Sequence, residues 1–291
     1  MSVLGPVRQR LGDAIFERVA GADGERQRDR IHLTPGPRWF PPGSPIVRVH
    51  GDHSMYIGGI RALLVQSMHP VAMRAVSEHS GFRGDMWGRL ARTSTFLAVT
   101  TFGAERHAEQ AVNAVRAIHD RLGGVTDEGI PYQVSDPHLL AWVHVAEVES
   151  FLLAHRVYGR QPLPAPERDR YLEQTAVVAR KLGVLAPPTT EAELREVLAG
   201  YRAELRGTAA AHEAVEVLLR RPDLPAAVRP AYRALADAAI ALLPPWMRAE
   251  LGLSAPRPLL ERTVGRAIGG GLVATIRWAT QPQQGARHST G

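Results

Sequence analysis

Three short runs of this sequence hold residues whose types and spacing suit chemistry. In Trp87-Gly-Arg-Leu-Ala-Arg-Thr-Ser-Thr-Phe96, residues Arg89, Arg92 and Thr93 fall at i, i+3 and i+4 on one helical face, with Phe96 a turn further on. Two guanidiniums and a hydroxyl beside Leu90 and Leu97 make a wall of donors for a carboxylate, a propionate or an iron-bound oxygen. A merely solvated arginine face is the competing reading. In the second run Arg116 and His119 share a face near Val112 and Val115. An imidazole there is either a hydrogen-bonded core group or a metal ligand whose other nitrogen needs an oriented acceptor. The third run adds His138, His144, Glu147 and Glu149, with His144 and Glu147 at i, i+3, so that His144 is a core group or a competing ligand. Glu78 and His79 precede the arginine run; they are base candidates if a pocket tunes their pKa, or simply a helix end.

Helices must position these groups. Apolar residues at three-to-four spacing predict helices over 60–77, 85–102, 104–122 and 138–158, then 167–183, 191–206, 208–220, 226–243 and 257–279. His69-Pro70 should kink or split the first of these. Asp136-Pro137 is an N-cap followed by an N1 proline, and Thr190-x-x-Glu193 has the form of a capping box. Residues 1–58 read as an irregular, proline-rich arm with one short helix at 7–19, and 125–135 as a loop. Ile46–His50 is the one candidate strand, and 281–291 reads as a disordered tail. The expected fold class is all-α, with a single helical domain over 59–280.

The chain has 291 residues, of which 35 are Lys or Arg and 29 are Asp or Glu, a formal net charge of +6. Only Lys181 among the basic residues is a lysine, and so small an excess does not point to nucleic acid. Zero cysteines exclude disulfides, thiolate metal sites and cysteine nucleophiles. No phosphate-binding loop, dinucleotide fingerprint, H-E-x-x-H, G-x-S-x-G or Glu-x-x-His occurs. Haem held by histidine is one of the few remaining routes to difficult chemistry for an all-α chain. No long apolar leader or spanning segment is evident, so a cytoplasmic location is expected. In 257–280 an apolar face is flanked by Arg262, Arg266 and Arg277. It suits either packing on the bundle or peripheral contact with a membrane.

Between Gly58 and Gly159 an ordered series of motifs resembles the latex-clearing-protein (rubber oxygenase) superfamily, which includes the fungal oxygenase of mycophenolic acid biosynthesis. The series comprises Gly59-Ile-Arg-Ala-Leu-Leu-Val-Gln-Ser-Met-His-Pro70, His79-Ser80, Gly88-Arg-Leu-x-Arg-Thr93 and Arg116-x-x-His119. Tyr132, Asp136-Pro137 and Trp142-Val-His144 complete it. The resemblance implies an all-α fold enclosing haem b, with His119 of the Arg-x-x-His motif as iron ligand beside Arg116. It also implies a distal wall of Arg89, Arg92 and Thr93. Where the family has a lysine in that wall this chain has Arg92, which stays protonated and cannot ligate ferric iron. A five-coordinate or water-bound iron is therefore expected.

The family's acidic base has no securely matching residue here; Glu78 and His79 are the nearest. The expected function is a haem b-dependent oxygenase acting with dioxygen on an apolar, isoprenoid-like or secondary-metabolite substrate, with oxidative cleavage of a C=C bond as the family reaction. A non-catalytic haem- or small-ligand-binding helical protein, and a cofactor-free interaction protein, are the competing readings.

Overall fold

The computed structural model describes residues 24–79, 85–126, 128–220 and 228–253, together with 222, 224–226 and 271. The helix expected at 7–19, that at 257–279 apart from Gly271, and the tail at 281–291 lie outside these residues. The described chain is mostly helical: α1 Gly24–Leu33, α2 Pro45–His50, α3 Met55–Gln66, α4 Pro70–His79, α5 Met86–Phe102 and α6 Glu105–His119. A two-stranded sheet, β1 Gly123–Val125 and β2 Pro131–Gln133, comes next. The chain continues with α7 Pro137–Tyr158, α8 Ala165–Leu182, α9 Glu191–Gly200, α10 Ala209–Val215, α11 Arg229–Ala241 and α12 Pro245–Glu250. Tyr201–Ala203 adds a 3₁₀ turn and Glu216–Arg220 a π turn.

Caps and prolines set many of the boundaries. Pro70 cannot donate the bond that would continue α3, so His69-Pro70 splits the predicted first helix into α3 and α4. Asp136 accepts from the His138 N–H, and Asp85 from the Gly88 N–H at 2.8 Å. Thr190 accepts from the Glu193 N–H, and the Glu193 carboxylate reaches back to accept from the Thr189 N–H at 2.7 Å and the Thr189 hydroxyl at 3.0 Å. Gly183 ends α8 in the left-handed region, at φ 111°, which lets the Val184 N–H return to the Ala179 carbonyl.

Three expectations need correction. Ile46–His50 is not a strand but lies within α2: Ser44-Pro45 is a helix start, and Ile46 and Val49 bury one helical face. Residues 24–58 are not irregular either, since they hold α1, α2 and the start of α3. The loop over 125–135 contains most of a small antiparallel hairpin, with Gly124 opposite Tyr132.

Helix α3 packs along α7 more extensively than any other pair of elements among the described residues. Gly58 allows the approach: a Cβ there would stand 3.1 Å from the Phe151 ring and 3.3 Å from the Ala154 methyl. On the same helix Arg61, only 3% exposed, pairs with Glu149 and donates to Ser150 Oγ at 2.6 Å. It also donates to the Leu242 carbonyl, and so ties α3 to α7 and to the end of α11. No described helix is long and apolar enough to cross a membrane.

A buried pair of this kind is destabilising to break but tolerable to replace as a unit. Arg61→Met is expected to lose about 3–5 kcal/mol by urea unfolding, and the Arg61→Met/Glu149→Leu double variant to regain most of it. Equal losses in the single and double variants would show that Glu149 is not the charge Arg61 compensates.

Candidate functional site

Helix α7 is apolar nearly all round because it serves two faces. Trp142, Val145 and Ala146 are fully buried in the core. Leu140, Val143, His144, Glu147, Val148 and Phe151 instead line a cavity of ≈ 590 Å³. Helix α5 contributes the next wall through Met86, Arg89, Leu90, Arg92, Thr93, Phe96, Leu97 and Thr100, a stripe at the helical period. Helix α6 adds Val115, Ile118 and His119; α8 adds Thr175, Val178, Ala179 and Leu182; α4 adds Ala72, Met73, Val76 and His79. The volume is that of a pocket for a sizeable small molecule, and the walls are mostly aliphatic.

Four histidines face this space, and their partners separate them. His50 is committed: Nδ1 lies 2.8 Å from Thr101 Oγ1 and Nε2 3.2 Å from the Tyr171 hydroxyl. Burial pushes its pKa down to about 3, so it is neutral. His79 lies with Nε2 3.2 Å from the Gly123 carbonyl and 3.3 Å from the Tyr132 hydroxyl. His119 and His144 differ from both. Nδ1 of His119 and Nε2 of His144 are buried without a hydrogen-bond partner. Desolvation lowers both pKa values, that of His144 to about 4, so each ring is neutral at pH 7 with a lone pair to offer. Both of these residues line this one cavity, whereas His107 and His155, which also have a buried nitrogen without a hydrogen-bond partner, do not.

The predicted donor face is divided. Arg89 lies inside, where burial lowers its pKa while the Glu147 carboxylate opposes that shift. Glu147 sits one turn beyond His144, and burial raises its pKa to about 7 despite the Gln66 side chain and the Arg89 charge. The guanidinium of Arg92 stays largely in solvent, 3.4 Å from Asp85, so it lies at the rim. Thr93 lines the wall beside Arg89.

Two predicted residues stand elsewhere. Arg116 does not join His119 in the cavity; it is exposed, with Nη1 3.4 Å from the Lys181 carbonyl. Three residues turn a helix about 60° short of a full revolution, enough to carry Arg116 to the outer surface. Glu78 is absent from the cavity wall as well. Its carboxylate accepts from the Tyr132 hydroxyl and, at 2.6 Å, from Arg74. The Tyr132 bond, with Arg74 next, holds its pKa below the usual carboxylate range.

Glu147 is the acidic group that sequence reasoning left without a role. Its spacing from His144 was visible, but its partner Arg89 lies on another helix. Its raised pKa gives a signed expectation for stability. The folded state holds this proton more tightly than the unfolded chain, so the contribution of Glu147 to stability is full below its unfolded value and is lost as pH rises through 7, while the buried neutral His50 and His144 contribute in the opposite sense. The decline amounts to about 3 kcal/mol at most. The limb should show as a pH-dependent difference in unfolding free energy between the unaltered protein and Glu147→Gln from pH 4 to pH 8; a difference that does not change with pH would refute the assignment.

The family model described as ER-bound oxygenase mpaB/B'/Rubber oxygenase, catalytic domain, matches residues 47–278. No curated protein and no solved structure matches the chain. The family match covers most of the sequence and all of the cavity wall except Ile46. On that ground the chain belongs to the family of mpaB and rubber oxygenase catalytic domains.

Proposed function

We propose that this chain is a haem b-dependent oxygenase that oxidises an apolar, isoprenoid-like substrate inside the α5–α7 cavity. The observation that carries this reading is the pair of neutral, unpartnered imidazole nitrogens on the wall of a mostly aliphatic cavity. A haem needs an apolar slot, a neutral imidazole to bind its iron and cationic donors for its propionates. His119 meets the second requirement, with His144 as the other nitrogen within the same walls. Arg92 at the rim and Arg89 further in meet the third. The chemistry supplied by bound haem is activation of dioxygen for insertion into, or cleavage of, an unsaturated substrate.

The chain's own side chains perform the remaining tasks. Leu90, Phe96, Leu97, Val143 and Phe151 take up the apolar substrate and exclude water, which strengthens every charge interaction in the cavity. Arg89 presents a fixed positive charge toward Glu147, and Thr93 adds a hydroxyl next to it. Glu147, with a pKa near 7, can hold or release a proton at its carboxyl during turnover, the task for which the sequence offers Glu78 and His79 as candidates. Arg92 cannot take the place of a ligating lysine, since it remains protonated.

The test is an ultraviolet–visible spectrum of protein produced with haem supply, joined to a pyridine haemochrome assay. About one haem b per chain is expected for the unaltered protein. His119→Ala should lose the Soret band and His144→Ala should keep it; the opposite pattern makes His144 the ligand. A colourless protein that takes up no added haem defeats the proposal. With haem bound, substrate-dependent oxygen consumption separates an oxygenase from a haem carrier. Glu147→Gln should lower turnover by about 10²–10⁴-fold and remove a pH-rate limb near 7. Unchanged turnover would remove Glu147 from the chemistry.

A further inference from the structure

Outside the cavity wall, three side chains from separate elements converge: His69 at the α3–α4 junction, His138 near the start of α7, and Glu204 just after the 3₁₀ turn. Their potential ligand atoms all lie within 4.8 Å of one another. His138 Nε2 is 3.0 Å from both Glu204 carboxylate oxygens, and His69 Nε2 is 3.2 Å from Oε2. His69 is 3% exposed, and its Nε2, despite that approach, is not aligned for a hydrogen bond. Aromatic packing orients both rings. Tyr201 lies against His138 with ring centroids 4.6 Å apart and donates its hydroxyl to the His138 carbonyl at 2.7 Å, while Trp142 borders His69.

We propose that His69, His138 and Glu204 form a binding site for a divalent cation of the zinc class. Two imidazoles and one carboxylate are a recognised donor set for zinc when a fourth position is left to water. Calcium and magnesium prefer sites made of oxygen alone. A tetrahedral ion with bonds near 2.0–2.1 Å places its ligand atoms about 3.3 Å apart, close to the two histidine–Glu204 distances, with the two imidazole nitrogens within 4.8 Å of each other. His138 and Glu204 are partly exposed, which gives the ion a route in and room for a water ligand.

One contact sets the expected strength. The Ala72 N–H donates to His69 Nδ1 over a long 3.3 Å, so the neutral ring carries its proton on Nε2. Binding at Nε2 moves that proton to Nδ1 and gives up the Ala72 bond, which predicts moderate rather than extreme affinity. The bound ion would fasten the 3₁₀ turn to the α3–α4 junction and to the start of α7. This inference does not depend on haem or on turnover.

The test is equilibrium dialysis of the full chain, as purified and stripped with a chelator, against Zn²⁺, with zinc and iron measured separately by elemental analysis. About one zinc per chain at micromolar free metal is expected, with a rise in melting temperature. Both features should be lost in His138→Ala and in Glu204→Gln, partly exposed positions where a folded protein is expected and circular dichroism can verify it. His144→Ala should retain the zinc, which separates this site from the cavity imidazoles. Failure of the unaltered chain to bind zinc overturns the proposal and needs no variant. Binding undiminished by both substitutions overturns it equally, leaving Glu204 as a carboxylate bridging two histidines.

Discussion

The close contact of α3 with α7, closed by the Arg61–Glu149 pair, is the constraint on which the remaining geometry rests. Gly58 permits the two backbones to approach, and the buried guanidinium then requires Glu149, Ser150 and the Leu242 carbonyl in fixed places. With one face of α7 held in this way, its opposite stripe of His144, Glu147 and Val148 has a single direction to point. The cavity is thus a consequence of how α7 is fastened. Removing the pair would release the helix that carries both the acid and one of the two candidate ligands.

Inside the cavity, low polarity governs the ionisation states. Desolvation keeps the imidazoles of His50, His119 and His144 neutral and raises Glu147 towards pH 7. Arg89 is the cation that faces Glu147, and neither group is fully compensated by solvent. Such an arrangement is costly for stability and useful for chemistry, because a proton can be gained or lost there near neutral pH. His50 shows the contrasting solution: a buried imidazole with both nitrogens partnered has nothing left to bind.

Membership of the oxygenase family and the composition of the wall bear on different parts of the functional reading. The family sets the class of reaction. The wall bears on how this chain would carry it out, with Arg92 at the rim beside Asp85 and Glu147 opposite Arg89. In the proposed arrangement the acid–base group would come from the helix bearing His144 and not from the segment before α5. The small sheet accounts for the difference, since Tyr132 on β2 and Arg74 capture the Glu78 carboxylate away from the cavity.

The sequence by itself determined the helical class, the break at His69-Pro70 and the start of α7 at Asp136-Pro137. Each of these follows from local periodicity or from a missing backbone donor. It also singled out His119 and His144, the two imidazoles that prove to have unpartnered nitrogens on the cavity wall. Ile46–His50 is helical and not a strand because Ser44-Pro45 starts a helix there, although Ile46, Val47 and Val49 are β-branched. What only the tertiary structure decided are relations between residues far apart in the chain. Glu147 meets the charge of Arg89, Glu78 is taken by Tyr132, Arg116 turns outward to Lys181, and His69 and His138 gather on Glu204. Helical spacing fixes which residues share a face. The neighbour that face meets, and so the dielectric and partner that set each group's chemistry, comes from packing between helices.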